Sequence, residues 1–106
     1  MRTADIHWVR DEMVVPDAFD RIYSDEEIAA MNDGERCVAR NEIIARSNGY
    51  SFKNGGLRDY FRARSWYHEN PGADGGGGLS AGSIAYQNVE RLRARTDPWW
   101  LDLATY

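Results

Sequence analysis

The chain has 106 residues, 42% of them hydrophobic and 12% aromatic, with 13 Lys+Arg against 17 Asp+Glu for a formal net charge of −4. That length allows one domain with one modest core and excludes two, and the apolar content argues for a folded domain rather than disorder. The acidic balance disfavours nucleic acid as a partner, since displacing phosphate counterions needs a basic face; the lone Cys37 excludes an intrachain disulfide; and no stretch is long enough to span a membrane.

Residues 1–23 read as an N-terminal arm. Ile6, Trp8 and Val9, then Met13, Val14 and Val15, are apolar, and Pro16 interrupts them. No apolar run follows Met1, so no signal peptide is expected in this chain. At Ser24 the pattern sharpens. Ser24 with Glu27 three residues later forms a capping box, and Asp25 and Glu26 suit the positive end of a helix dipole. This first helix is expected to be short, with Asn32, Asp33 and Gly34 as its breaker.

A second helix is expected over about 35–47. Cys37, Val38, Asn41, Ile44 and Ala45 recur at helical spacing and define its inner face, while Ile43 lies off that stripe. Glu42 and Arg46 stand at i and i+4, where they can pair. Asn48-Gly49 ends the helix with a left-handed cap. Asn54, Gly55 and Gly56 then read as a turn, and Leu57, Tyr60 and Phe61 mark the apolar face of a third helix. Trp66 and Tyr67 open a loop that passes through glycines 75–78, a stretch expected to be flexible and lacking a phosphate-loop pattern. Ser80 is the expected cap of a fourth helix over about 81–95, with Ile84, Ala85, Asn88, Val89 and Leu92 inward. Residues 97–106 form a C-terminal aromatic hook. The fold expected is all-α: a small single domain of four or five short helices over 24–96 with irregular N- and C-terminal segments.

From Arg40 onward the sequence resembles the YARHG domain family. Arg40, Asn41, Glu42 and Ile43, then Ala45, Arg46, Gly49, Tyr50 and Phe52, follow the family's naming phrase. Lys53, Leu57, Tyr60, Phe61, Trp66 and Tyr67 continue the pattern, and Leu79, Ser80 and Asn88 fit its last helix. Four features depart from it. Ile44 stands in place of Tyr, Ser47 in place of His, Asn48 looks like a one-residue insertion, and residues 72–78 are an unusual glycine-rich insertion. The resemblance implies a bacterial domain in an extracellular or cell-envelope setting, although the absence of a signal peptide leaves a cytoplasmic location open. It implies no assigned chemistry.

Two readings stand for the corner at Arg46 and Glu42. In the structural one, Asn41 bonds loop backbone, Gly49 turns the chain, Phe61 anchors the core, and the Glu42–Arg46 pair ties the loop to the helix. In the functional one, Arg46 with a neighbour grips an anion or carboxylate bidentately. Tyr60, Trp66 and Tyr67 with Arg64 likewise read as a ligand groove or as core, and a domain this small favours core. His7 and His68 stand far from Cys37, and no ligand pair is spaced for zinc, so no metal or cofactor is expected. Ser47 carries no nucleophile-elbow pattern, and no catalytic residue is assigned. Trp99, Trp100 and Leu101 are interface candidates, either covering Trp8 and Val14 or meeting a second chain, which gives a monomer or a weak homodimer. The function expected is a non-enzymatic accessory or recognition module that binds a protein or cell-envelope component. The alternative is a small enzyme or effector using the Glu42/Arg46 corner with His68.

Overall fold

The structure, a computed structural model, describes residues 17–97. The apolar arm before Asp17 and the Trp99, Trp100 and Leu101 hook lie outside the described residues, as does His7. Four helices occur among the described residues: α1 (Asp25–Ala29), α2 (Asp33–Asn48), α3 (Gly55–Arg62) and α4 (Ile84–Ala94). None is long and apolar enough to cross a membrane.

Each helix starts at a side-chain cap, and three starts differ from expectation. Ser24 caps α1 as predicted, with Glu27 reaching back to the Ser24 N–H at 2.9 Å. Asn32, expected to break a helix, starts one: it accepts from the Glu35 N–H at 2.8 Å while Glu35 accepts from the Asn32 N–H at 2.9 Å. That second capping box places Asp33 and Gly34 inside α2. Asn54 caps α3, so Gly55 and Gly56 belong to its first turn rather than to a free turn. The fourth helix is capped by Ser83, not Ser80; residues 80–83 close a turn through the Ser83 N–H and the Ser80 carbonyl. Gly82, a poor helix residue, intervenes, and Ser83 is the cap nearest the apolar run.

The core has two parts with α2 between them. Ala18, Tyr23, Ile28, Ala39, Ile43, Ile44, Ala85, Val89 and Leu92 form the first; Val38, Ala45, Phe52, Leu57, Tyr60 and Phe61 form the second. This explains Ile43, which lay off the expected inner stripe yet is fully buried: α2 has an inner face on both sides. Each fully buried Ile, Leu or Phe contributes about 1.5–3 kcal/mol.

Long-range polar contacts lock the frame. Arg36 donates to the Ile28 and Ala29 carbonyls at the end of α1 and, from Nη1, to the Arg95 carbonyl at 3.0 Å. The Asp97 N–H meets Asp33 Oδ1 at 3.3 Å, so α2 and α4 run antiparallel. Asn88, fully buried on α4, accepts from the Tyr23 N–H and donates to the Ala18 and Arg21 carbonyls, fastening residues 17–23 to the core. Arg91 adds a bond to the Tyr23 carbonyl at 3.0 Å.

Candidate functional site

The last turns of α2 build the corner around Arg46. Glu42 is 1% exposed and Arg46 lies one turn later, its Nε donating to Glu42 Oε2 at 3.2 Å. The Arg46 guanidinium lies over the Trp66 ring, 4.0 Å from its centroid. A cation over an indole face gains about 0.5–2 kcal/mol depending on desolvation. Arg46 is thus held by a buried carboxylate at its stem and by an aromatic plane at its tip, with its side chain still 26% exposed.

Trp66 is itself positioned by aromatics. Its ring meets Phe61 at 6.0 Å and Tyr67 at 6.1 Å, both edge-on, and Phe61 stacks on Phe52 at 4.9 Å. The Tyr67 hydroxyl donates to the Tyr50 carbonyl. The chain can return here because Gly49 ends α2 at φ 73°, in the left-handed region expected of it. Its carbonyl accepts from the Asn70 N–H at 2.8 Å, bringing residues 66–70 back beside 49–50. A Cβ on Gly49 would stand 2.1 Å from the His68 carbonyl oxygen, so the return requires glycine for space as well as for φ.

The predicted site residues therefore separate by depth. Phe61 and Tyr60 lie in the core, Tyr60 at 8% exposure with the Arg64 guanidinium 4.5 Å over its ring. Trp66 and Tyr67 are half-buried at its rim. His68 exposes its side chain, whereas Glu42 is buried, and no hydrogen bond between them is found among the described residues. Among the described residues Asn41 makes no bond to loop backbone, unlike the expectation. It accepts from Arg40 Nη1 at 2.8 Å and donates to Cys37 Sγ at 3.4 Å. Burial pushes the Cys37 thiol up to about 11, which keeps it protonated and unreactive. Among the described residues no group of three His, Cys, Asp or Glu is placed to hold a metal.

Sequence reasoning missed the loop-holding residues. Ser47 Oγ donates to the Gly77 carbonyl at 2.6 Å and Asn48 Nδ2 to the Asp74 carbonyl at 3.0 Å, so the glycine stretch expected to be flexible is fastened to the end of α2. It also missed the partners of Glu69, which takes both Arg62 Nε at 2.6 Å and Nη2 at 3.0 Å and accepts from the Ser51 hydroxyl. Arg62 first, then Ser51, holds the Glu69 carboxyl down at about 2. These partners lie 7 and 18 residues from Glu69, and only a local alternation of charge at 62 and 69 hinted at the first.

The family model of the YARHG domain matches residues 11–75. No curated protein and no solved structure matches the chain.

Proposed function

The chain belongs to the YARHG domain family, and we propose that it is a non-enzymatic recognition module that binds a protein or cell-envelope partner, with Arg46 as the gripping residue. One observation carries this reading. Arg46 is oriented by Glu42 and Trp66, yet neither Nη1 nor Nη2 makes a hydrogen bond among the described residues. A planar fork fixed in advance loses little conformational entropy on meeting a carboxylate and can take it bidentately. The half-buried Trp66 and Tyr67 beside it offer the amphipathic aromatic surface that protein interfaces favour. A catalytic reading would need Glu42 and His68 to converge on one reacting atom, and burial of one with exposure of the other lends that no support.

The test is capture from bacterial envelope and cytosolic fractions with the native chain and with Arg46→Lys. Lysine keeps the charge opposite buried Glu42 but loses the fork. A partner held by the native chain and lost by about tenfold or more with Arg46→Lys, at an unchanged melting temperature, is the expected outcome. Equal capture by both chains refutes the assignment of Arg46, and retention only from the cytosolic fraction refutes the envelope setting.

A further inference from the structure

An asparagine followed by glycine is the pair most open to loss of its side-chain amide, because glycine has no side chain to hinder its nitrogen from reaching Cγ. The chain has two such pairs, Asn48-Gly49 and Asn54-Gly55, and their surroundings differ. The Gly49 N–H is engaged by the Ala45 carbonyl at 2.9 Å. Both ends of the Asn48 side chain are held as well, Oδ1 by the Tyr50 N–H and Nδ2 by the Asp74 carbonyl. Ring closure there would give up three hydrogen bonds and open the end of α2. At Asn54 only the cap stands in the way: Oδ1 accepts from the Leu57 N–H at 3.0 Å. Among the described residues neither Asn54 Nδ2 nor the Gly55 N–H makes a hydrogen bond. Gly55 is exposed and opens α3, where an N–H has no partner within the helix. A Cβ at Gly55 would meet only Arg58 Nη2, at 3.9 Å, so nothing crowds the approach.

We propose that Asn54-Gly55 is a site of covalent self-modification, at which the Gly55 backbone nitrogen closes on the Asn54 side chain. The nitrogen bonds to Cγ, the Cγ–Nδ2 bond breaks, and the amide leaves as ammonia with the Gly55 proton. Closure turns Asn54 away from its ψ of 124° and releases the cap bond to Leu57, the one restraint at this pair. The cyclic imide then takes up water at either carbonyl. Opening at Cγ leaves an aspartate at position 54; opening at the main-chain carbonyl leaves an isoaspartate, with the chain running through Cβ and Cγ. The two products act differently on α3. An aspartate still caps it, since a carboxylate accepts from the Leu57 N–H as the amide does. An isoaspartate adds a methylene to the backbone and removes the cap from the helix that buries Leu57, Tyr60 and Phe61. The ammonia is lost to solvent, so the change accumulates with the age of the chain.

The full native chain is aged in warm, mildly alkaline buffer and digested with trypsin, which cuts after Arg46, Lys53 and Arg58 and so puts the two pairs in separate peptides, 47–53 and 54–58. Mass spectrometry reads the exchange of NH2 for OH in each, and retention against synthetic standards separates aspartate from isoaspartate. Asn54 is expected to react at least about tenfold faster than Asn48, the effect of giving up one hydrogen bond rather than three. In urea, where both pairs lose their partners, the two rates should become similar. Gly55→Ala should slow the reaction at Asn54 and leave Asn48 unchanged. Asn54→Asp should melt with the native chain, and aged chain enriched in isoaspartate should melt lower. Equal rates at the two pairs in the native chain overturn the proposal, as does an Asn54 that stays intact there while it reacts in urea. An unslowed Gly55→Ala overturns the ring closure, and an undiminished melt of the isoaspartate chain overturns the uncapping of α3.

Discussion

Gly49→Ala tests the geometry on which the whole corner rests. Two costs add. At φ 73° an alanine is disfavoured by about 1 kcal/mol relative to glycine. Its Cβ would also meet the His68 carbonyl oxygen at 2.1 Å, far inside contact distance and against backbone, which cannot swing aside as a flexible side-chain end can. Opening that contact pushes residues 66–70 off the helix end and gives up the 2.8 Å bond between the Asn70 N–H and the Gly49 carbonyl, together with the Tyr67 hydroxyl bond to Tyr50. Each such bond is worth about 1 kcal/mol net, so the total is about 3–4 kcal/mol. In a domain of this size that lowers the melting temperature by more than about 12 °C. Thermal unfolding by circular dichroism, with Gly82→Ala as the control, reads it: a Cβ at Gly82 meets nothing within 4 Å, and its melt should not fall. Gly49→Asn separates the terms, because asparagine tolerates the left-handed region yet carries the same colliding Cβ; it should recover no more than about 1 kcal/mol. A Gly49→Ala melt within about 2 °C of the native chain would refute both the left-handed cap and the close return of His68.

Asn88→Ala should cost about 3 kcal/mol or more, because it strands the buried Tyr23 N–H and Ala18 carbonyl and also removes the partner of the less buried Arg21 carbonyl; a urea midpoint unchanged at constant slope would show that residues 17–23 are held some other way. The acid limb of stability should carry the mark of Glu27 and Glu69, both held down at about 2, by Arg21 and Arg62 respectively. Their folded values lie below the ordinary 4.5, so their contribution is present above pH 4.5 and is lost as the pH falls towards 2. Both pairs are solvent-exposed, so the effect is modest and should shrink in high salt. The double variant Glu27→Gln/Glu69→Gln should flatten stability against pH in that window, and an unaltered profile would show that the two ion pairs contribute nothing there.

What was legible in the sequence was local. The box of Ser24 and Glu27, the stripe of Leu57, Tyr60 and Phe61, and the cap at Gly49 each depend on residues within one or two turns, and each stands where the spacing put it. The misreadings come from residues with two meanings. Asn32, Asp33 and Gly34 break helices by composition, but Asn32 with Glu35 three residues on is the same box as Ser24 with Glu27, and that geometry prevails. Ser80 and Ser83 are equally good caps in isolation, and the position of the first buried turn at Ala85 decides between them. Asn88 and Arg36 were opaque for a different reason. Their partners lie 65, 70 and 59 residues away, and no short window holds both ends of such a bond. Ile43 was off-stripe only because a single inner face was assumed, whereas a helix between two cores has two.

The departures from the YARHG phrase, scattered in sequence, are neighbours in space. Gly77 packs on Ile44, the residue in place of tyrosine: a Cβ at Gly77 would come within 3.3 Å of the Ile44 Cα and 3.5 Å of its Cγ1. Ser47, in place of histidine, bonds the Gly77 carbonyl, and Asn48, the extra residue, bonds the Asp74 carbonyl and accepts from the Tyr50 N–H at 3.1 Å. The glycine-rich segment and the three altered α2 positions therefore form one structural unit. A tyrosine at 44, larger than the isoleucine there, would press on the backbone at Gly77, which already sits in the left-handed region at φ 82° with no space beneath it. The residues that follow the phrase form a second group, joined to this unit at Tyr50. Arg40 and Asn41 bond each other, Glu42 and Arg46 pair beside Trp66, and Gly49 lets the Trp66 segment return. The glycine-rich segment is thus tied to one edge of α2, while the Arg46 corner holds its guanidinium between Glu42 and the Trp66 ring.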